Sequence, residues 1–388
     1  MSKRAALVVL DGLGIGPAPD TDAYGDAGSD TLGNVARAVG GLRLPNLERL
    51  GLGKDRPIPG LAPGVRPAAA HGIAQPASPG KDSTTGHWEL CGVVLERAFR
   101  TYPKGFPTAL LEELSRRTGR GWLGNVAASG TAILADLGAE HQQSGKWIVY
   151  TSADSVFQVA AHEATIPLDE LYRACAIARE LLVGEHVVSR VIARPFLGTP
   201  GDYRRTPHRK DFSIAPEGAT LLDRLAEAGV PRVGIGKVDD LFAGRNITSE
   251  HTPTNADAYR LIEEALDTLD TGFVFVNVIE FDQSWGHRND VAGFHQGLQE
   301  LDAWVPRLVA RLRGDDLVIL TADHGNDPTT PSTDHSREVV PVLVVGPRIR
   351  PVALGVRRTF ADLGQTVAEY FGVGRLAAGT SFLGEVWA

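Results

Sequence analysis

Short runs of apolar residues, rich in valine and isoleucine and bounded by polar or turn residues, recur along the chain. Runs of this length are typical of strands that are buried on both faces of a sheet. The predicted strands cover residues 6–10, 147–151, 187–193, 233–236, 273–279, 317–321 and 339–345. Residues 256–269 and 296–313 carry apolar side chains at helical spacing. Strands that alternate with helices predict an α/β fold with a largely parallel sheet.

The pattern changes in three places. Residues 53–80 are rich in proline, glycine and alanine, which predicts a long surface excursion with at most one strand. Near residues 96–107 and 207–216, proline and basic residues interrupt the alternation. The segment between these two points has strands and helices of its own, so the pattern leaves open whether it is a separate inserted domain or a continuation of the first.

Composition narrows the class of partner. The 388 residues include 39 Lys and Arg against 47 Asp and Glu, a net charge of −8. An acidic, unclustered balance of charge argues against a nucleic acid or an anionic membrane as the main partner, but not against a small anionic substrate.

The two cysteines, Cys91 and Cys175, cannot form a disulfide framework, and neither has the spacing of a metal-binding motif. Because no run approaches the roughly 20 apolar residues of a membrane helix, we expect a soluble cytoplasmic protein.

Three aspartates follow predicted strands closely. Asp11 comes directly after the first strand, Asp282 follows the strand at 273–279, and Asp323 follows the strand at 317–321. In open α/β sheets, ligands bind beyond the carboxyl ends of the strands. Three carboxylates meeting there would repel one another unless a cation lay between them.

Histidines accompany two of these aspartates: His287 follows Asp282 by five residues, while His324 and His335 follow Asp323. Mixed carboxylate and imidazole ligands suit Mn²⁺ or Zn²⁺, and six ligands suit two adjacent ions that share a phosphate. The alternative is that each aspartate only caps a turn or a helix. The density of Asp and His in TADHGNDPTTPSTDHSRE, directly after a buried strand, favours the metal site.

A cluster of hydroxyl groups lies at a predicted helix start, in the segment KDSTTGHWEL. Asp82 or Ser83 suits the N-cap of that helix. The same position favours a phosphoryl group, so a hydroxyl there can also act as a nucleophile, and a nearby metal ion would lower its pKa. The glycines of DGLGIG have the spacing G-x-G-x-G, whereas a dinucleotide-binding loop has G-x-G-x-x-G. Pro17 also follows where the helix of such a loop would begin, so the sequence argues against a dinucleotide site here.

Several long segments of the chain are similar to those of one enzyme family. They are DGLGIGPAPD, GSDTLGN, KDSTTGHWE, YTSADSVFQVAAHE, SRVIARPF, RRTPHRKDF, VNVIEFDQSWGHRND and TADHGND with TDHSREVVP. Over nearly its whole length, the chain resembles the phosphopentomutase family of the alkaline phosphatase superfamily.

The resemblance implies an alkaline-phosphatase-like α/β core, formed by residues 1–97 and 216–388, with an α+β cap domain inserted at 98–215. It implies two Mn²⁺ ions, although other divalent metals are possible. Asp282, His287 and His335 would hold one ion; Asp11, Asp323 and His324 would hold the other.

The nucleophile of the family falls on Ser83, with Thr84 and Thr85 as alternatives. The family usually has threonine at this position, so the serine is a departure that keeps the hydroxyl and loses a methyl group. By the same resemblance, Ser152 and Asp154 would face the sugar hydroxyls, while Arg205 and Lys237 would meet phosphate.

The implied activity is an isomerisation of pentose monophosphates. Phosphoserine 83 would convert ribose 1-phosphate and ribose 5-phosphate, or their deoxy equivalents, into each other through a bisphosphate, after priming by a sugar bisphosphate. We expect a monomer. A related metal-dependent phosphatase or phosphoglycerate mutase remains an alternative. A non-catalytic sugar-phosphate-binding protein is disfavoured, since it has no use for a nucleophile.

Overall fold

A computed structural model of the chain describes residues 3–152 and 155–388. The strands of the described residues are β1 Arg4–Leu10, β2 Ala70–Ala74, β3 Trp122–Ala127, β4 Trp147–Thr151, β5 Val156–His162, β6 Arg190–Leu197, β7 Arg204–Arg205, β8 Lys210–Ser213, β9 Arg232–Ile235, β10 Ser249–Glu250, β11 Gly272–Val278, β12 Leu317–Thr321, β13 Val340–Val345 and β14 Ala353–Arg357. The α-helices are α1 Thr31–Ala38, α2 Pro45–Leu50, α3 Ser83–Leu90, α4 Thr108–Thr118, α5 Gly130–Ser144, α6 Leu168–Leu181, α7 Leu221–Glu227, α8 Val238–Leu241, α9 Asn255–Thr268, α10 Val291–Val309, α11 Ala361–Phe371 and α12 Leu383–Val386.

The chain divides into two compact units. One comprises the residues up to Ala98 together with Pro216–Ala388, and the other comprises Phe99–Ala215. The first unit, here called the core unit, is therefore built from two separate stretches of the chain, and the second unit from one continuous stretch.

A large, mostly parallel sheet forms the centre of the core unit. Its strand order is β10-β9-β11-β1-β12-β13-β2-β14. Strands β10, β9, β11, β1 and β12 run parallel to one another, whereas β13 runs antiparallel to both β12 and β2. The predicted α/β class with a largely parallel sheet is confirmed.

Three neighbouring strands at the middle of this sheet end together. Strand β1 lies between β11 and β12, with Leu10 opposite Val278 and Val9 opposite Thr321. All three strands are buried along their whole length, as expected for strands with both faces covered. Their carboxyl ends consequently lie side by side at one edge of the sheet.

The second unit has a smaller mixed sheet with a hydrophobic core on each face. Its strand order is β3-β4-β5-β6-β7, with β8 also paired to β6. Alternate residues of β4 face opposite sides, so Trp147 and Val149 pack with helices α4 and α6, while Ile148 and Tyr150 pack with α5.

Most predicted elements match the structure within a few residues. The strand predicted at 187–193 begins and ends later, as β6 Arg190–Leu197, and Ser189 just before it donates to the backbone carbonyl of Ser155. The excursion at 53–80 contains strand β2. Strands β3, β5, β7, β8, β10 and β14 were not predicted. None of the helices in the described ranges combines the length and the apolar composition that crossing a bilayer requires.

Candidate active site

The ends of β1, β11 and β12 bring three aspartates together. Asp11 follows β1 directly and its amide donates to the carbonyl of Val278, at 3.1 Å. Asp282 lies in a short π-helical turn, Phe281–Trp285, that follows β11. Asp323 follows β12 by two residues, and the amide of Gly12 donates to its Oδ1 at 3.2 Å. Gly12 has φ of 79°, a conformation that suits glycine, so the chain can turn sharply behind Asp11.

Asp282, His287 and His335 form the first candidate ligand group. The Nε2 atoms of His287 and His335 lie 3.3 and 3.2 Å from the two carboxylate oxygens of Asp282. One ligand atom from each residue falls within 4.8 Å of the others. The Nδ1 of His287 donates to the carbonyl of Thr333 at 2.6 Å, which leaves Nε2 to face the carboxylate.

Asp11, Asp323 and His324 form the second candidate ligand group. Nε2 of His324 lies 3.3 Å from Asp11 Oδ1 and 3.4 Å from Asp323 Oδ2. Ligand atoms of Asp11 and His324 also fall within 4.8 Å of one from Asp282, so the two groups are adjacent. All six side chains predicted as metal ligands therefore lie in one cluster.

The charges in this cluster are strongly coupled. Burial, with the charges of Asp323 and Asp282, raises the pKa of Asp11. Burial acts in the same direction on Asp282 and Asp323, but the neighbouring histidines outweigh it and lower the pKa of both carboxyls. Burial lowers the pKa of His324, yet the adjacent carboxylates raise it well above its ordinary value. The three carboxylates thus require compensating positive charge.

The donor atoms fit divalent metal ions. Nε2 of His335 and Oδ2 of Asp323 are buried and lie within ion-pair distance of charged neighbours, but neither makes a hydrogen bond of good geometry among the described residues. Buried polar atoms are normally paired, and unpaired nitrogen and oxygen atoms beside a carboxylate cluster are what a metal ion would satisfy. Mixed imidazole and carboxylate donors suit Mn²⁺ or Zn²⁺.

Ser83 is the first residue of α3 and points at the second ligand group. Its Oγ lies 3.1 Å from Nε2 of His324 and 3.4 Å from Oδ1 of Asp11. Asp82 caps the helix by accepting from the amide of Thr85 at 3.1 Å. The close approach of α3 to Asp323 requires glycine at position 86, because a Cβ there would lie 2.3 Å from the carbonyl oxygen of Asp323.

The two alternative hydroxyls are placed differently. Oγ1 of Thr85 donates to Oδ2 of Asp82 at 2.6 Å and belongs to the helix cap. Thr84 is buried, with 2% of its surface exposed, whereas Ser83 is half-buried. Of the three hydroxyls, the one on Ser83 is the best placed beside the candidate ligands.

Three further polar residues of the site were missed by the sequence analysis. His87 is fully buried, with Nδ1 3.1 Å from Asp323 Oδ2 and 2.9 Å from the carbonyl of Ser83. Asn277 donates to Asp11 Oδ2 at 2.9 Å, and Asn326 donates to Asp282 Oδ1 at 2.7 Å. Features of the sequence indicate two of these residues. His87 follows Ser83 by four residues, which places both on one face of a helix, and Asn277 is a lone polar residue within an apolar strand.

The residues predicted to contact substrate are spread over both units. Ser152 is half-buried and directly follows β4. Arg205, in β7, lies against Gly130 and Tyr150 within the second unit. Lys237 precedes α8 in the core unit and donates to Oε1 of Gln283, one residue after Asp282. The prediction for Asp154 falls outside the described residues.

Comparison with known proteins identifies the family. The model of the metalloenzyme superfamily matches residues 3–375. A protein from Anaeromyxobacter sp. (strain K) called phosphopentomutase is 57% identical over 388 residues, which is 100% of both chains. One of the same name from Carboxydothermus hydrogenoformans is 53% identical over 386 residues, 99% of each chain. The chain belongs to the phosphopentomutase family.

Membership of the phosphopentomutase family makes the chain a mutase, an isomerase that transfers a phosphoryl group within its substrate. It also supports the use of divalent metal at the ligand cluster described above. The PH0037 protein from Pyrococcus horikoshii, 14% identical, shares the fold, with a TM-score of 0.50 over 97% of this chain and 98% of its own. The predicted alkaline-phosphatase-like fold and the predicted family are confirmed.

Proposed function

We propose that the chain interconverts ribose 1-phosphate and ribose 5-phosphate, and the corresponding deoxyribose phosphates, through a phosphorylated Ser83. The full-length similarity to proteins called phosphopentomutase supports the substrate class. The observation that carries the role of Ser83 is its Oγ, which lies within 3.4 Å of both Asp11 and His324 at the first turn of α3.

In this reaction, the phosphoryl group of phosphoserine 83 passes to whichever of the C1 and C5 hydroxyls of the pentose carries no phosphate. The P–O bond to Ser83 breaks as the new one forms, the sugar hydroxyl loses its proton, the serine oxygen takes one up, and the sugar becomes a bisphosphate. The other phosphate then returns to Ser83, which regenerates the phosphoserine and releases the isomer. The amide groups at the start of α3 favour the negative charge of the phosphoryl group.

We propose Mn²⁺ as the metal at both ligand groups, with Asp282, His287 and His335 holding one ion. Asp11, Asp323 and His324 would hold the other. Bound there, such ions would neutralise the charge that develops on the transferring phosphoryl group. The chain itself holds these ligands in place through Asn277 and Asn326, which donate to two of the carboxylates.

The other substrate contacts remain predictions. We propose that Ser152 and Asp154 bind the sugar hydroxyls, that Arg205 and Lys237 bind phosphate, and that a sugar bisphosphate primes the enzyme. A monomeric state and a cytoplasmic location also remain predictions.

The decisive experiment combines mass spectrometry with substitution of Ser83. After incubation with ribose 1,5-bisphosphate and Mn²⁺, peptide mapping should place one phosphate on Ser83. Ser83→Ala should abolish the label and lower turnover by at least about 10⁴-fold, the scale of loss when a nucleophile is removed. Ser83→Thr should keep both, because it keeps the hydroxyl.

Thr84→Ala is the matched control and should remain labelled and active. A label on Thr84 or Thr85, or a fully active Ser83→Ala, would refute the role of Ser83. Release of inorganic phosphate without isomerisation would instead indicate a phosphatase.

A further inference from the structure

Arg337 binds the loop that precedes α3. Its side chain is only 3% exposed. The guanidinium holds Asp20 with two parallel hydrogen bonds of 3.0 Å each. It also donates to three backbone carbonyls, those of Pro76, Ser78 and Gly80. A planar fork with five donors can satisfy this set of acceptors, and a lysine cannot.

Lys81 makes a second connection between the same two stretches of chain. Its Nζ lies 2.8 Å from Asp26 and 3.2 Å from Asp334. Asp26 also accepts from the backbone amide of Arg337 at 2.8 Å, and Asp334 accepts from the amide of His335 at 2.9 Å. Burial lowers the pKa of Lys81, but hydrogen bonds to Asp26 and Asp334 and the charges of these two carboxylates outweigh it and raise the pKa. The lysine is therefore charged at neutral pH.

The two connections join the segments that carry the nucleophile and one metal ligand. Residues 76–81 lead directly into Ser83, and residues 334–337 contain His335. The ring centroids of His335 and His324 are 4.1 Å apart, so a shift of one segment changes the surroundings of the Ser83 hydroxyl. We propose that Arg337 and Lys81 are positioning residues that set Ser83 against the metal ligands. This inference rests on the proposed function, in which Ser83 carries the phosphoryl group.

The proposal predicts a loss of phosphoryl transfer without a loss of binding. Lys81→Met and Arg337→Lys should each lower kcat by about 10- to 100-fold, since a shift of about 1 Å at a reacting group has effects of this size. KM should stay within about twofold, because the lost interaction acts on the transfer step. Lys81→Arg, which keeps the charge, should restore most of the activity.

Two measurements separate positioning from a general loss of structure. Mn²⁺ binding, followed by paramagnetic resonance, should be unchanged in Lys81→Met, while the rate at which Ser83 is phosphorylated by ribose 1,5-bisphosphate should fall. Lys54→Met is the matched control for the half-buried lysine, and Arg348→Lys is the control for the arginine. Lys54 donates to the carbonyl of Pro63 and Arg348 to that of Ala388, outside the site, so both controls should behave like the unmodified chain.

Three outcomes would overturn the proposal. Unchanged kcat in Lys81→Met would show that the connection does not position Ser83. A raised KM with unchanged kcat would place Lys81 in substrate binding, and weakened Mn²⁺ binding would place it in support of the metal ligands. The proposed function fails separately: in that case the unmodified chain itself acquires no phosphate on Ser83.

Discussion

Gly86→Ala tests how closely α3 must approach Asp323 for Ser83 to act. The added Cβ would lie 2.3 Å from the carbonyl oxygen of Asp323 and 2.7 Å from its Cβ. Ordinary contact begins near 3.4 Å, so the helix must move by about 1 Å. Ser83 lies one turn earlier on the same helix and would move with it, away from His324. A misplacement of about 1 Å can cost a factor of about 100 in rate.

The same substitution has a small expected effect on stability. Alanine favours a helix by up to about 1 kcal/mol relative to glycine. Overpacking opposes this gain and costs about 1–3 kcal/mol. Net destabilisation should therefore lie between about 0 and 2 kcal/mol, far too little to unfold a protein of this size.

The assays are steady-state conversion of ribose 1-phosphate and equilibrium unfolding in urea. Gly384→Ala is the control, because Gly384 is also helical and a Cβ there would meet no atom within 4 Å. A Gly86→Ala variant that folds stably and turns over within about twofold of the unmodified chain would refute the reasoning, since the 1 Å displacement would then carry no catalytic cost.

Two further predictions concern metal and pH. Chelation should lower the thermal unfolding midpoint, and added Mn²⁺ should restore it. An ion whose free concentration is about 100 times its Kd adds about 2.7 kcal/mol to the free energy of unfolding. An unchanged midpoint would contradict the metal site. Burial, with the nearby charges of His162 and Arg120, lowers the pKa of His141. The unfolded chain thus binds more protons below about pH 6.5, and stability should fall there. Faster hydrogen exchange in β4 and β5 at low pH should show this loss of stability. The loss should be smaller in His141→Gln, and an equal loss in that variant would contradict the role of His141.

The residues at the strand ends were predictable from the sequence because their strands are simple. Strands β1, β11 and β12 are apolar runs buried on both faces, and a parallel sheet aligns their carboxyl ends. The sequence alone therefore predicts that Asp11, Asp282 and Asp323 meet. The family resemblance supplied the pairing of these aspartates with particular histidines.

Other features depend on tertiary contacts that the local pattern does not contain. Strand β5 is buried throughout but includes Gln158, which pairs with Arg194 on the neighbouring strand, so its polar residues hide the apolar run. Strand β3 is interrupted at Gly124 and Asn125, which both have positive φ, and its pairing with β4 shifts register there. The contact of α3 with Asp323, which brings Ser83 to the site, depends on the absence of a side chain at Gly86.

The pairing of β1 has a consequence for biosynthesis. Its two neighbours, β11 and β12, begin at Gly272 and Leu317, so β1 leaves the ribosome more than 250 residues before the strands with which it pairs. The stretch Phe99–Ala215 is continuous and can fold during that interval. Such distant pairings slow folding and leave an apolar strand exposed in the meantime. Strand β1 is accordingly a segment that a chaperone would protect during synthesis.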